Sequence, residues 1–188
     1  MKRKIFEYGG IAASIVLIAF GIGSIAIGAT GVNEVRDNLA RENIVGTEDS
    51  SIPGQKVDTG SEAKAFANVM RTHALESTGG LTYADMGRYK SASNPDDPKG
   101  TNDEAAAIKD ESGAPVSNGA RDIWVTETAL STALNVAFFA ERVALFSIVM
   151  GVALLLTGIG FLVLTLGGAI RQSEATESVA PKPVTANG

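Results

Sequence analysis

The chain has 188 residues, a net charge of −5, a single histidine and no cysteine. The missing thiols exclude a disulfide framework, a thiolate metal site and a cysteine nucleophile. The acidic balance argues against nucleic acid as a partner, because phosphate binding depends on clustered Lys and Arg.

Two uncharged runs, Tyr8 to Asn33 and Val143 to Ile170, bracket a polar middle. At ~1.5 Å per residue they reach ~39 and ~42 Å as helices, more than the ~30 Å hydrocarbon core of a bilayer. Lys2, Arg3 and Lys4 precede the first run, and positive residues are retained on the cytoplasmic side. Arg171 follows the second. The division expected is a cytoplasmic N-terminus (1–8), a first transmembrane helix (9–30) and an extracytoplasmic domain ending in a helical stem (31–142). A second transmembrane helix (143–170) and a disordered cytoplasmic tail (171–188) complete it. A cleaved signal peptide is the competing reading of the first run, with small residues at Gly28, Ala29 and Thr30. Its length exceeds the usual apolar region of such a leader, and Val32, Val35 and Leu39 continue at helical spacing.

The first span is expected to extend as helix to about Asn43, followed by a loop over Gly46 to Gly60. A helix is predicted over Ser61–Ser77, with Ser61 as N-cap and Phe66, Val69, Met70, His73 and Ala74 on one face. Gly79 and Gly80 stop it. Thr82 to Asp85 reads as a capping box opening a short turn, and Ser91 to Glu104 as a mobile loop. Residues 107–109 and 114–116 allow one short β-hairpin around Asp110 to Gly113. Neither Pro nor Gly interrupts the chain from Ala120 to Met150, which predicts one helix running on into the second span. Trp124 then lies ~27 Å before Arg142 along that helix, a core residue of the domain with Phe66, Met70 and Leu130 as fellow anchors.

Small residues recur every seven positions in both runs: Ser14, Gly21 and Gly28, then Gly151, Gly158 and Thr165. That spacing keeps them on one helix face, where small side chains let backbones approach closely in lipid. The two spans are expected to pack on each other there, with Gly23, Gly160 and Gly167 left to a second face. Gly21 to Ala26 matches a dinucleotide fingerprint, but it lies inside an apolar run rather than between a strand and a helix. No cofactor is expected. The carboxylates between Asp96 and Glu111 read as a solvated loop, since Pro98 and Lys99 break the calcium-loop pattern. His73 has no second His or Cys to complete a metal set. Neither run carries the ionisable group of an ion pathway.

Several stretches, among them Ile5 to Gly10, Met70 to Glu76, Tyr83 to Arg88 and Asn118 to Leu130, resemble a group of small two-span membrane proteins from actinobacteria and related high-GC bacteria. The resemblance implies that architecture and supplies no activity. Some members bear the label aromatic ring-opening dioxygenase. Such enzymes hold non-haem iron with two His and a carboxylate, which one histidine cannot build.

The expected fold class is therefore mainly α: an antiparallel pair of transmembrane helices with a small helical extracytoplasmic domain between them. The expected role is non-enzymatic and structural or accessory, in a bacterial cytoplasmic membrane with both termini cytoplasmic. Its partners would be the lipid bilayer and a membrane or envelope protein, or a second copy. An extracytoplasmic sensor or ligand-binding module is the alternative, and an enzyme a more distant one. Arg71, His73, Arg88, Tyr89 and Arg121 form the expected interaction surface.

Overall fold

A computed structural model describes residues 2–167. The expected end of the second span at Ile170, Arg171 and the tail 171–188 lie outside the described residues. The fold is mainly helical: α1 (Lys2–Arg41), α2 (Gly60–Ser77) and α3 (Gly119–Leu166), with a 3-10 turn at Tyr83–Asp85. Two of these helices, α1 and α3, are long and apolar enough to cross a membrane. The chain divides into two compact units, one comprising 1–30 with 144–188 and the other 31–143.

In the first unit α1 and α3 meet through small residues. A methyl group added at Gly21 would lie 2.7 Å from the Leu155 backbone nitrogen, and one at Gly151 2.7 Å from the Gly21 carbonyl oxygen. Gly28 faces the Ala144 carbonyl at 2.6 Å, Gly158 the Ile18 nitrogen at 3.0 Å, and Gly10 the Thr165 hydroxyl at 2.8 Å in the same sense. Ser14 is fully buried, its hydroxyl donating to the Gly10 carbonyl at 2.8 Å. An added methyl at Gly23 or Gly160 would meet nothing within 4 Å, and one at Gly167 only the backbone of Val163 on its own helix.

In the second unit α1 ends at Arg41, and Asn43 adopts a left-handed φ of 50°, which its short polar side chain tolerates. The loop that follows is closed by an isolated bridge between Val45 and Lys56 and by hydrogen bonds from Gly46 N to Gln55 O and Val57 N to Ile44 O. The start of α2 corrects the expected cap. Thr59, not Ser61, is the N-cap: its hydroxyl accepts from Glu62 N while the Glu62 carboxylate accepts from Thr59 N. Only Thr59 has an acidic residue three positions on, so only it can form the reciprocal pair. At the other end Gly80 N donates to Leu75 O and Gly79 N to Glu76 O, with φ of 82° and 62°. This left-handed termination satisfies the last carbonyls and suits glycine.

The core of this unit joins Leu39, Val57, Ala63, Ala67 and Leu134, with Phe66 and Met70 packed against it. Trp124 is buried, whereas Leu130 is 48% exposed and is not a core anchor. It lines an open groove together with Phe66 and Met70 of α2.

Among the described residues no strand forms, and the expected β-hairpin is reduced to an isolated bridge between Lys109 and Pro115. Asp110 N still donates to Ala114 O and Val116 N to Ile108 O, but Ile108 N donates to Lys90 O and Val116 O accepts from Lys90 N, so a third segment takes the groups that would continue the hairpin. The Asp110 carboxylate organises the turn, accepting from Ser112 and Ala114. Residues 91–104, expected as a mobile loop, are tied to their neighbours. Bridges pair Tyr89 with Thr101 and Ser91 with Ala107. The buried Asn118 amide donates to the carbonyls of Gly87 and Pro98.

Candidate functional site

The five residues expected to form one interaction surface each engage a partner of their own. The Arg71 guanidinium lies 4.8 Å from the centre of the Trp124 ring, and Arg121 lies 4.0 Å from that of Tyr83. Arg88 stands over Tyr89 at 5.5 Å, and the Tyr89 hydroxyl donates to Glu104 at 3.0 Å. Such stacks are worth about 0.5–1 kcal/mol at exposed sites. His73 Nε2 lies 2.5 Å from the Asp49 carboxylate. Hydrogen bonds from Thr47 and then His73 hold the Asp49 carboxyl below its ordinary range. Among the described residues no group of three or more His, Asp or Glu is placed to hold a metal ion.

Two buried carboxylates were not singled out from the sequence. Glu141, 3% exposed, accepts from Arg36 Nε at 2.9 Å and from Gly60 N at 3.0 Å. It thereby ties α1, the start of α2 and α3 together. Glu127, 5% exposed, accepts from the Ser131 hydroxyl at 2.7 Å. Among the described residues every buried side-chain polar atom has a hydrogen-bond partner, so both carboxylates are satisfied structural groups. Their signal was present in the spacing. Trp124, Glu127, Ser131, Leu134, Phe138 and Glu141 follow one another at alternating intervals of three and four, which is a single helix face.

The feature that stands apart is a groove. It lies within the second unit and has a volume of about 850 Å³, inside the ~300–1,000 Å³ range of small-molecule sites. Its walls are Val35 and Leu39 from α1, Phe66 and Met70 from α2, and the stretch of α3 from Leu130 to Ala140. Ala133, Ala137 and Ala140 line it, and their single methyl groups leave the hollow that larger side chains would fill. Leu39 and Leu134, both 6% exposed, form its floor; Leu130 and Val136, 48% and 60% exposed, stand at its lips. Of the lining residues only Asn38 and Glu42 are polar, and both sit near the C-terminal end of α1. The Asn38 carboxamide oxygen accepts from Arg41, while Arg41 also donates to the Asp37 carbonyl.

Such a lining can hold an apolar molecule and offers no convergent acid, base or nucleophile. A second hollow of about 450 Å³ touches Met70, His73, Asp122 and Glu127. There His73 is already engaged by Asp49 and Glu127 by Ser131. No protein-family model, curated protein or solved structure matches this chain.

Proposed function

We propose that this chain is a non-enzymatic integral membrane protein of the bacterial cytoplasmic membrane and that its groove binds an apolar ligand. In this reading α1 and α3 cross the bilayer as an antiparallel pair, both termini are cytoplasmic, and residues 31–142 are extracytoplasmic. Support for the spans comes from their length and from their exposure: only 11% of the most apolar window of each is buried. A core helix of a water-soluble globule would be mostly covered. The close approaches at Gly21, Gly28, Gly151 and Gly158 suit helices packing where hydrophobic burial gives no drive.

The groove is the single observation that carries the binding role. It favours a ligand-binding module over a purely structural or accessory subunit, because an exposed concave apolar surface is a cost without an occupant. The test uses the full chain in nanodiscs with an environment-sensitive apolar dye. Saturable binding is expected, and Ala137→Trp, which fills the hollow, should weaken it about tenfold or more. Equal dye binding by both proteins would overturn the binding role. A chain that stays dissolved and monodisperse without any amphiphile would overturn the membrane assignment.

A further inference from the structure

A third hollow of the second unit carries a different chemistry from the groove. Its volume is about 600 Å³, and its walls are Tyr83, Trp124, Val125, Thr128, Ala129 and Thr132. No carboxylate lines it; Asp122 and Glu127 belong to the hollow of about 450 Å³ instead. Two arginines border it through its aromatic walls. Arg121 stands 4.0 Å from the centre of the Tyr83 ring, and Arg71 4.8 Å from that of Trp124. Among the described residues neither guanidinium pairs with a carboxylate or donates a hydrogen bond. By contrast Arg36 is held by Glu141, and Lys64 donates to the Asn135 carboxamide. Carboxylates are not scarce, since the segment from Glu34 to Arg142 carries 18 Asp and Glu against 11 Lys and Arg. A ring occupies the face of a guanidinium and leaves its in-plane N–H fork free. That fork matches the two oxygens of a carboxylate.

We infer that this hollow is a second binding site, separate from the groove, for a small organic carboxylate with an apolar body. Arg121 and Arg71 supply the charge. Along α3 Arg121 precedes Val125, Thr128 and Thr132 at intervals of four, three and four, so it shares their helix face. The carboxylate is therefore held at the start of that face. Its body runs along the ~10 Å between Val125 and Thr132, against Ala129 and the two rings. Trp124 offers carbon surface there, because its indole N–H already donates to the Leu81 carbonyl at 2.7 Å. Tyr83, 47% exposed, forms the accessible wall. The acidic surplus of the segment opposes a bare anion, so charge alone does not suffice and the apolar body supplies the rest of the binding.

The experiment uses the full chain in neutral dodecyl maltoside micelles and reads the fluorescence of Trp124, the one tryptophan of the sequence. The probes are 4-phenylbutyrate, its uncharged amide and acetate. A saturable change with 4-phenylbutyrate is expected, and none with acetate. The acid should bind about two- to fivefold more tightly than the amide, the size an exposed ion pair imposes, and high salt should narrow that gap. Changing Arg121→Gln and Arg71→Gln together should bring the acid down to the amide, with circular dichroism checking that the fold is kept. Ala129→Phe, which fills the hollow, should remove both responses. Equal affinity for acid and amide, or a preference that survives the double arginine change, would overturn the inference. A response untouched by Ala129→Phe would mean that the probe sits in the micelle, and acetate binding as well as 4-phenylbutyrate would refute the role of the body; either result sinks the site. None of these outcomes bears on the groove, whose dye test stands apart.

Discussion

Trp124 and Leu130 stand six residues apart on the same helix, both large and apolar, and the fold treats them in opposite ways. Trp124 is 3% exposed; its indole N–H donates to the Leu81 carbonyl at 2.7 Å, and Arg71 covers its face. Leu130 is 48% exposed at the lip of an open groove. The tryptophan is buried with its N–H satisfied, so this side chain serves stability. The leucine leaves apolar surface facing outward, which costs free energy in water unless something covers it. One helix therefore carries a sealed side chain and an unsealed one, and substitutions should separate them.

The largest effect is expected at the buried tryptophan. Trp124→Ala removes a buried aromatic side chain together with its hydrogen bond, and should destabilise the unit by about 3–5 kcal/mol. Denaturant unfolding followed by circular dichroism would register this. A loss below about 1 kcal/mol, the range of surface substitutions and weak contacts, would mean that Trp124 is not the keystone its burial suggests.

Glu141→Ala should rank next. It leaves the Gly60 N–H without its acceptor and frees Arg36, whose side chain is 50% exposed and can return to water. A buried donor left unsatisfied costs about 1–3 kcal/mol, and solvent limits the loss at Arg36. The same unfolding measurement should place this variant between Trp124→Ala and the cap variants that follow.

A smaller, pH-dependent effect belongs to the start of α2. Partial burial pushes the Glu62 carboxyl upward, but hydrogen bonds from Asp58 and Thr59 outweigh it and hold it below its ordinary 4.5. A depressed folded value means that the ionised form is favoured by folding. The stabilisation is complete above pH 4.5 and is lost as pH falls through the depressed value. Thr59→Ala should cost about 1 kcal/mol at neutral pH. Glu62→Gln should flatten the acid limb of the stability profile, and an unchanged limb would show that the capping pair does not couple to folding.

These elements also show what was legible beforehand. The helical class, the stop at Gly79–Gly80 and the core position of Trp124 followed from periodicity and turn chemistry, which are local. Ser61 is not the cap because the residue three positions on is Lys64, whereas Thr59 has Glu62 there to complete a reciprocal pair. Glu127 and Glu141 were hidden by the expectation that charge faces solvent, although their spacing from Trp124 and Leu134 puts them on the packed face. The hairpin stops at Lys109 and Pro115 because Lys90 pairs with both Ile108 and Val116, a contact distant in sequence that local turn signals do not reveal. The groove could not be read at all. Its alanines look like those of any helix, and the hollow depends on how far Val35 and Leu39 stand from Phe66 and Met70.

The smallest expected effect gives the sharpest contrast with Trp124. Leu130→Ser removes an exposed lip residue, and surface substitutions of this kind usually stay within about 0.5 kcal/mol. Stability should hardly move, while dye affinity in nanodiscs should fall, because one wall of the apolar slot becomes polar. If Leu130→Ser instead destabilises the unit as strongly as Trp124→Ala, the lip is part of the core. The contrast between a sealed Trp124 and an open Leu130 then fails. If both stability and dye affinity are unchanged, the groove's occupant does not touch that lip, and its path must follow Val136 and Ala140 instead.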